Sequence, residues 1–342
     1  MVYIMRLEMI SLIFFSFLAC YLLTPVFRSF AQKKGYITAL HPNKLDTRRL
    51  PYLGGIAIYI SFLVVVSGYY IFSNPDYGLN KLLIFIAPVS LIVIFGLYDD
   101  IKELKPLYKF IAQCVAASIL VISGIRTEII FLNKFSNILI SVVWIILITN
   151  AFNLLDIMDG LAAGIALISF TSFFLLGFLT GNVFVILICL VLAGAMLAFL
   201  RYNLPPASIF MGDVGSQFLG FCLAVISMDL SFSESGHEIG IVIPLMILAV
   251  PLFDLFFVIV MRLYQRKSIF LKSNDHFVFR MLKTGMSNNL VLKVMLLISI
   301  FTNLCAAIIY RASNVIGSLI FLLVMAALFS FGIKLSKLEM NK

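Results

Sequence analysis

Residues 138–160 read ILISVVWIILITNAFNLLDIMDG. The first twelve suit hydrocarbon, whereas the last eleven hold two amides and two carboxylates, Asn150, Asn153, Asp156 and Asp159. A polar group buried without a partner costs roughly 2–7 kcal/mol, and a carboxylate in a membrane is paired, metal-bound or water-facing. The stretch therefore reads as a spanning helix with polar chemistry gathered where it leaves the bilayer.

The rest of the chain extends that reading. Its 342 residues are 62% hydrophobic and 12% charged, with mean hydropathy +1.11. A soluble domain of this size cannot hide so much apolar surface. Taking about 20 apolar residues per span, eleven segments qualify: 9–27, 52–72, 81–98, 107–125, 137–153, 161–179, 182–200, 215–230, 240–262, 290–310 and 316–335. The expectation is an all-α polytopic membrane protein, one embedded domain over residues 1–342. The first run reads as a span, not a cleavable leader. The five cysteines all lie in apolar runs without CxxC spacing, which argues against zinc sites and disulfide frameworks.

The net charge of +9 follows the spans. Arg28, Lys33, Lys34, Lys44, Arg48 and Arg49 fall between spans one and two, Lys102, Lys105 and Lys109 between three and four, and Arg201 after span seven. Arg262, Arg266, Lys267, Lys272, Arg280 and Lys283 follow span nine, and Lys334, Lys337 and Lys342 close the chain. The opposite side carries Arg6, Lys81, Arg126, Lys134 and Arg311. Positive charge marks the cytoplasmic side, so the odd loops and the C-terminus are expected inside and the N-terminus outside. This sidedness explains the basic composition and argues against a nucleic-acid partner.

The chemistry-bearing motifs share the cytoplasmic face. Asp99 and Asp100 close the third span, where the helix dipole disfavours acids. As helix neighbours they point about 100° apart, so two roles are expected. Asn150, Asn153, Asp156 and Asp159 repeat every third residue, a row that drifts by about 60° per step in an α-helix. A 3₁₀ or unwound end would bring them together. Their hard oxygens suit Mg²⁺, which uses one or two carboxylates plus substrate phosphates. In FMGDVGS (210–216) the glycines expose backbone N–H groups that can bind phosphate, and Asp213 would repel that phosphate unless a cation intervened. In NDHFVFR (274–280) His276 and Arg280 lie one helical turn apart and suit an anionic nucleotide or sugar phosphate.

Taken together, HPNKLDTRRLPYLGGIAIY, GLYDD, NAFNLLDIMDGLAAG, NLPPASIFMGDVGS, PLFDLFFVIVMR and NDHFVFR resemble, in order, the polyprenyl-phosphate N-acetylhexosamine-1-phosphate transferases, and within them the hexosamine-1-phosphate branch. The resemblance implies about eleven spans around a cytoplasmic-face active site in the bacterial inner membrane. It implies transfer of N-acetylglucosamine-1-phosphate, or another N-acetyl(deoxy)hexosamine-1-phosphate, from a UDP-sugar to undecaprenyl phosphate. UMP is released, and the step initiates a cell-envelope polysaccharide such as an O-antigen or teichoic acid. Mg²⁺ is the implied cofactor, with Mn²⁺ as a substitute, and a homodimer is admitted. Carried over by motif, Asp213 is the main metal ligand and Asn153 a second. Asp156 and Asp159 organise the nucleotide and metal region, and Asp99 and Asp100 position or deprotonate the lipid phosphate. Lys44 and Arg49 contact the lipid phosphate, and Asn150, Asn203, Gly212, His276 and Arg280 serve the substrates. The branch often carries H-x-H-H-R where this chain has Val278 and Phe279 in place of two histidines. Direct attack and an aspartyl intermediate are both chemically open, with direct attack favoured because one metal can align two anionic substrates. The rival reading, an ion-coupled transporter, requires polar groups near mid-bilayer and repeated spans. The sequence offers neither.

Overall fold

The computed structural model describes residues 2–37, 49–73, 79–230, 238–268 and 275–337, with only the backbone for 2–7. Among them the chain is helical, apart from one isolated bridge between Ile37 and Pro51. Where the sequence suggests one domain, the helices pack as two compact units. The first holds α1 (Val2–Lys34), α2 (Gly54–Ser73), α3 (Leu79–Lys102), α4 (Pro106–Ile122), α5 (Lys134–Leu155), α6 (Leu161–Thr180), α7 (Val183–Asn203) and α8 (Gly212–Asp229). The second holds a 3₁₀ turn (Glu238–Val242), α9 (Ile243–Ile247), α10 (Ala249–Tyr264), α11 (Phe277–Lys283), α12 (Asn288–Arg311) and α13 (Asn314–Ser336).

Each of the eleven apolar runs is helical, and the chain is a multi-pass membrane protein. Among the described residues eight helices are long and apolar enough to cross a membrane, or nine if the bent pair over Glu238–Tyr264 is one span. The count by length and composition thus falls short of eleven. α4 has only 17 residues, and α8 carries Asp213, Gln217 and Asp229 within its 18. The bent pair turns by 77° at Leu248. Pro251 has no N–H to donate to the Ile247 carbonyl one turn back. The Asn303 amide of α12 donates to that carbonyl instead, at 3.1 Å.

In the first unit α8 is the axle. Its residues Val214–Met228 are buried, and it packs against α2, α3, α5 and α6. The approach to α2 is close enough to need glycine on both helices: a Cβ on Gly55 would lie 2.2 Å from the Gly215 nitrogen. Small residues at such crossings let backbones approach within a membrane. Polar residues start several helices, as the Asn133 side chain shows by accepting from Ser136 N at 2.8 Å at the head of α5.

The end of the unit remote from the sequence motifs is tied by one carboxylate. Asp229, at the end of α8, contacts Lys81 Nζ of α3 at 2.5 Å and accepts from the Asn182 amide before α7 at 2.8 Å. Asp229→Ala is expected to lower stability by about 1–2 kcal/mol, the worth of a charged hydrogen bond. The loss stays moderate because Lys81 is 38% exposed and can turn to water. Thermal midpoints of both proteins in the same detergent check this, with activity little changed at temperatures where both stay folded.

Candidate active site

At the other end of the first unit α3, α5 and α7 finish while α4, α6 and α8 begin, and the sequence motifs meet there. Asp99 and Asp100 diverge as their helical spacing requires. Asp99 is buried: its Oδ1 accepts from Leu104 N at 2.7 Å, and its Oδ2 pairs with the Lys109 ammonium of α4. Lys109 Nζ also lies 2.9 Å from Asp213 Oδ2. The other oxygen of Asp213 accepts from Asn153 Nδ2 at 3.1 Å, and the same amide donates to Ser216 Oγ at 3.0 Å. Four helices thus contribute Asp99, Lys109, Asn153 and Asp213 to one charged cluster.

Asp100 turns to the start of α8. Its two oxygens accept from Asp213 N at 2.9 Å and Val214 N at 3.1 Å. A helix N-terminus carries unsatisfied N–H groups and a partial positive charge, and here a carboxylate from α3 satisfies both. Two of the N–H groups of this motif, those of Asp213 and Val214, are thus taken by Asp100. Gly212 makes the arrangement feasible: its φ is +73°, and a Cβ there would lie 2.6 Å from Asp100 Oδ2 and 2.5 Å from the Tyr52 carbonyl. The approach to α8 is fixed from the other side as well. Phe210 N donates to Pro51 O at 2.8 Å, and Gly54 N and Gly55 N donate to Phe210 O and Met211 O. Arg49, exposed, lies two residues before this pairing; Lys44 falls outside the described residues.

The row Asn150, Asn153, Asp156 and Asp159 does not share one target. α5 ends at Leu155, and Asp156 caps it with ψ 57°, so the chain unwinds there as anticipated. Asn150 and Asn153 remain helical and separate. Asn150 Nδ2 donates to Gln113 Oε1 of α4 at 2.6 Å, and Gln113 Nε2 donates to Gln217 Oε1 of α8 at 3.1 Å. Asp159 accepts from Ala207 N at 2.8 Å, which ties the α5–α6 turn to the loop before α8. Asn203 ties the same two segments. It is buried, accepts from Gly160 N at 3.1 Å and donates to Ile209 O at 3.0 Å. Its side chain thus braces the two segments that carry Asp159 and Asp213.

In the second unit His276 precedes α11 and is held by Asp254 of α10, Nδ1 to Oδ2 at 2.8 Å, while Asp254 Oδ1 accepts from Phe277 N at 2.9 Å. Arg280 is 1% exposed and donates to the Leu335 and Ser336 carbonyls at the end of α13, at 3.1 and 3.2 Å, with Asp275 Oδ1 at 3.5 Å. Burial pulls its guanidinium below the ordinary arginine range, and Asp275 opposes that shift. A cation at a helix C-terminus is well placed. Arg280 therefore closes the end of α13.

The sequence reading missed Lys109 as a site residue and treated it only as loop charge. The signal was present: Lys109 and Gln113 on α4 and Asp213 and Gln217 on α8 are each four apart, complementary and set in apolar surroundings. The two pairs form successive rungs between these helices.

The cluster fits a divalent cation. Among the described residues no three His, Cys, Asp or Glu side chains converge as a metal cage. Mg²⁺ does not need one, since it combines one or two carboxylates with substrate phosphates and water. Asp99 and Asp213 already share a cation, the Lys109 ammonium. Asn153 brings an amide beside them.

Residues 82–231, which carry the cluster, match the model of glycosyl transferase family 4. The chain is 31% identical over 306 residues to a probable undecaprenyl-phosphate N-acetylglucosaminyl 1-phosphate transferase of Bacillus subtilis, covering 87% of this chain and 84% of that one. It is 31% identical over 293 residues to a decaprenyl-phosphate N-acetylglucosaminephosphotransferase of Mycobacterium leprae, covering 75% and 71%. A phospho-N-acetylmuramoyl-pentapeptide-transferase of Staphylococcus carnosus matches at 34% over 224 residues, 59% of this chain and 68% of that one. With the motifs, the helical frame and near-full-length relatives in agreement, this chain belongs to glycosyl transferase family 4, the family of the polyprenyl-phosphate N-acetylhexosamine-1-phosphate transferases.

Proposed function

We propose that this protein transfers N-acetylglucosamine-1-phosphate from its UDP-sugar to undecaprenyl phosphate, the first step of a cell-envelope polysaccharide. An oxygen of the lipid phosphate attacks the β-phosphorus of the donor. The bond from that phosphorus to the bridging oxygen breaks, and UMP leaves with the electron pair. The observation that carries the reading is the cluster of Asp99, Lys109, Asn153 and Asp213 at one end of a bundle of spanning helices. A lipid headgroup and a water-soluble nucleotide can both reach such a place.

Two anionic substrates repel, and positive charge must screen them. Lys109 supplies one such charge from this chain. Bound Mg²⁺, held by Asp213 with Asn153 and Asp99 beside it, would neutralise the diphosphate and align it for in-line attack. Asp100 holds the start of α8, and with it Asp213, in register. Asp156 and Asp159 shape the turn on the nucleotide side, and Arg49 and Lys44 meet the lipid phosphate. From its motif, His276 contacts the donor.

Incubating purified protein with undecaprenyl phosphate, Mg²⁺ and a panel of UDP-sugars, with the lipid product identified by mass, tests this directly. A product from UDP-N-acetylglucosamine supports the reading. Turnover of a deoxy-N-acetylhexosamine donor alone would assign the alternative sugar. That alternative draws on Val278 and Phe279, which stand in place of two polar side chains beside His276. The positive-inside bias supports a cytoplasmic location for the cluster. Single cysteines at residue 34 or 105, introduced in a cysteine-free background, are expected to resist an impermeant thiol reagent in intact cells and to react after permeabilisation. Labelling from outside would reverse the orientation.

A further inference from the structure

The second unit contains a buried carboxylate that the reaction as described does not use. Asp254, in the stretch PLFD, is 1% exposed, and both its oxygens are engaged by the segment that starts α11. One accepts the Phe277 N–H, which is orphaned at a helix start. The other faces Nδ1 of His276, itself 4% exposed. A carboxylate only accepts hydrogen bonds, so Nδ1 must carry a proton, whether the ring is neutral or charged. In the neutral ring that leaves Nε2 as the nitrogen able to accept a further hydrogen bond. The bond a histidine makes through one nitrogen sets the chemistry of the other.

We propose that Asp254 is a positioning residue that locks His276 in the Nδ1–H form and presents Nε2 to the sugar-nucleotide donor. This rests on the reading of His276 as a donor contact. The lock matters here because residues 278 and 279 are valine and phenylalanine. Val278 is buried, and the Phe279 ring lies 6.0 Å from the His276 ring, so the segment has a single imidazole to orient. Asp254 reaches it from 22 residues away and from a different helix. A rotation of the ring would break the bond to Nδ1, and a shift of α11 would break the bond to Phe277 N. The carboxylate therefore fixes both the tautomer and the location of the ring.

The test begins on the unmodified protein, labelled with ¹⁵N-histidine in detergent and observed at a pH where the ring is neutral. The His276 signal is assigned by its loss in H276Q. The expected result is a proton on Nδ1, and a proton on Nε2 overturns the proposal. Asp254→Asn then separates positioning from scaffolding. Its carbonyl can still accept from Phe277 N, but its amide must donate to Nδ1 and so drives the proton to Nε2. The expected result is a switched tautomer and a KM for the UDP-sugar turned over in the panel that rises on the order of 10–100-fold, the usual cost of losing a partner that orients a histidine. A switched tautomer with unchanged donor KM, or a raised KM with no switch, overturns the positioning role. H276Q should raise donor KM at least as much. A normal donor KM in H276Q would remove His276 from the donor site and the positioning proposal with it, while a lipid product in the UDP-sugar panel would leave the proposed reaction standing.

Discussion

Asp213→Asn is expected to reduce turnover by on the order of 10³-fold or more, about 4 kcal/mol of transition-state stabilisation. Asp213 joins the cluster's parts: Oδ2 meets Lys109, Oδ1 meets Asn153, and its own N–H is held by Asp100. Asparagine preserves shape and one acceptor but turns an amide N–H toward the Lys109 ammonium or toward the Asn153 amide. Both are donors, so one contact becomes repulsive in either orientation. The variant also removes the carboxylate proposed to hold Mg²⁺, so added metal should not restore the rate. Asn153→Ala should cost less, on the order of tenfold, with a shift in the Mg²⁺ concentration needed for half-maximal rate. Steady-state rates over a Mg²⁺ series, with thermal midpoints as a control for folding, decide the matter. Near-normal turnover of the Asp213 variant would take that residue out of the metal site.

What could be read from the sequence depended on how far apart the interacting residues lie in the chain. Spanning helices declare themselves locally, through runs of apolar residues long enough for hydrocarbon, and each run proved helical. Helix starts are local too, as at Asn182, Ser287 and Ser313, each accepting from the N–H three residues on. The divergence of Asp99 and Asp100 follows from helix geometry alone. Their targets do not. Asp100 reaches α8 across 113 residues, and Lys109 reaches Asp213 across 104. Only the packing of α3 and α4 against the other helices makes those pairs neighbours. The same limit explains Asn203 and Arg280. Each sits in a motif suggestive of ligand contact, yet each is buried and serves carbonyl or amide groups of its own unit. Polar residues at a membrane face serve chemistry and helix ends alike, and sequence spacing does not separate the two uses.

Asp99→Asn and Asp100→Asn should differ in kind. In Asp100→Asn one oxygen can still accept from the start of α8, but the new amide opposes the second N–H. An orphaned buried donor costs about 1–3 kcal/mol, and loss of the anion at the helix N-terminus adds roughly 0.3–1 kcal/mol. The expected result is a clear fall in thermal midpoint, together with lost activity as α8 and Asp213 shift. Asp99→Asn keeps an acceptor for Leu104 N but loses the charge that Lys109 shares with Asp213. The new amide then faces Lys109, but Lys109 is 27% exposed and keeps Asp213, so stability should fall by less than in Asp100→Asn while kcat falls on the order of 10²-fold or more. A phosphate's second pKa is near 6, so the attacking lipid phosphate is largely dianionic at neutral pH and needs no strong base. The Asp99 variant's rate should therefore stay low as pH rises, whereas full recovery at high pH would establish a base role. Equal losses of stability in the two variants would make Asp99 a second structural clasp. Lys109 and Asp213 would then carry the charge chemistry of this cluster without it.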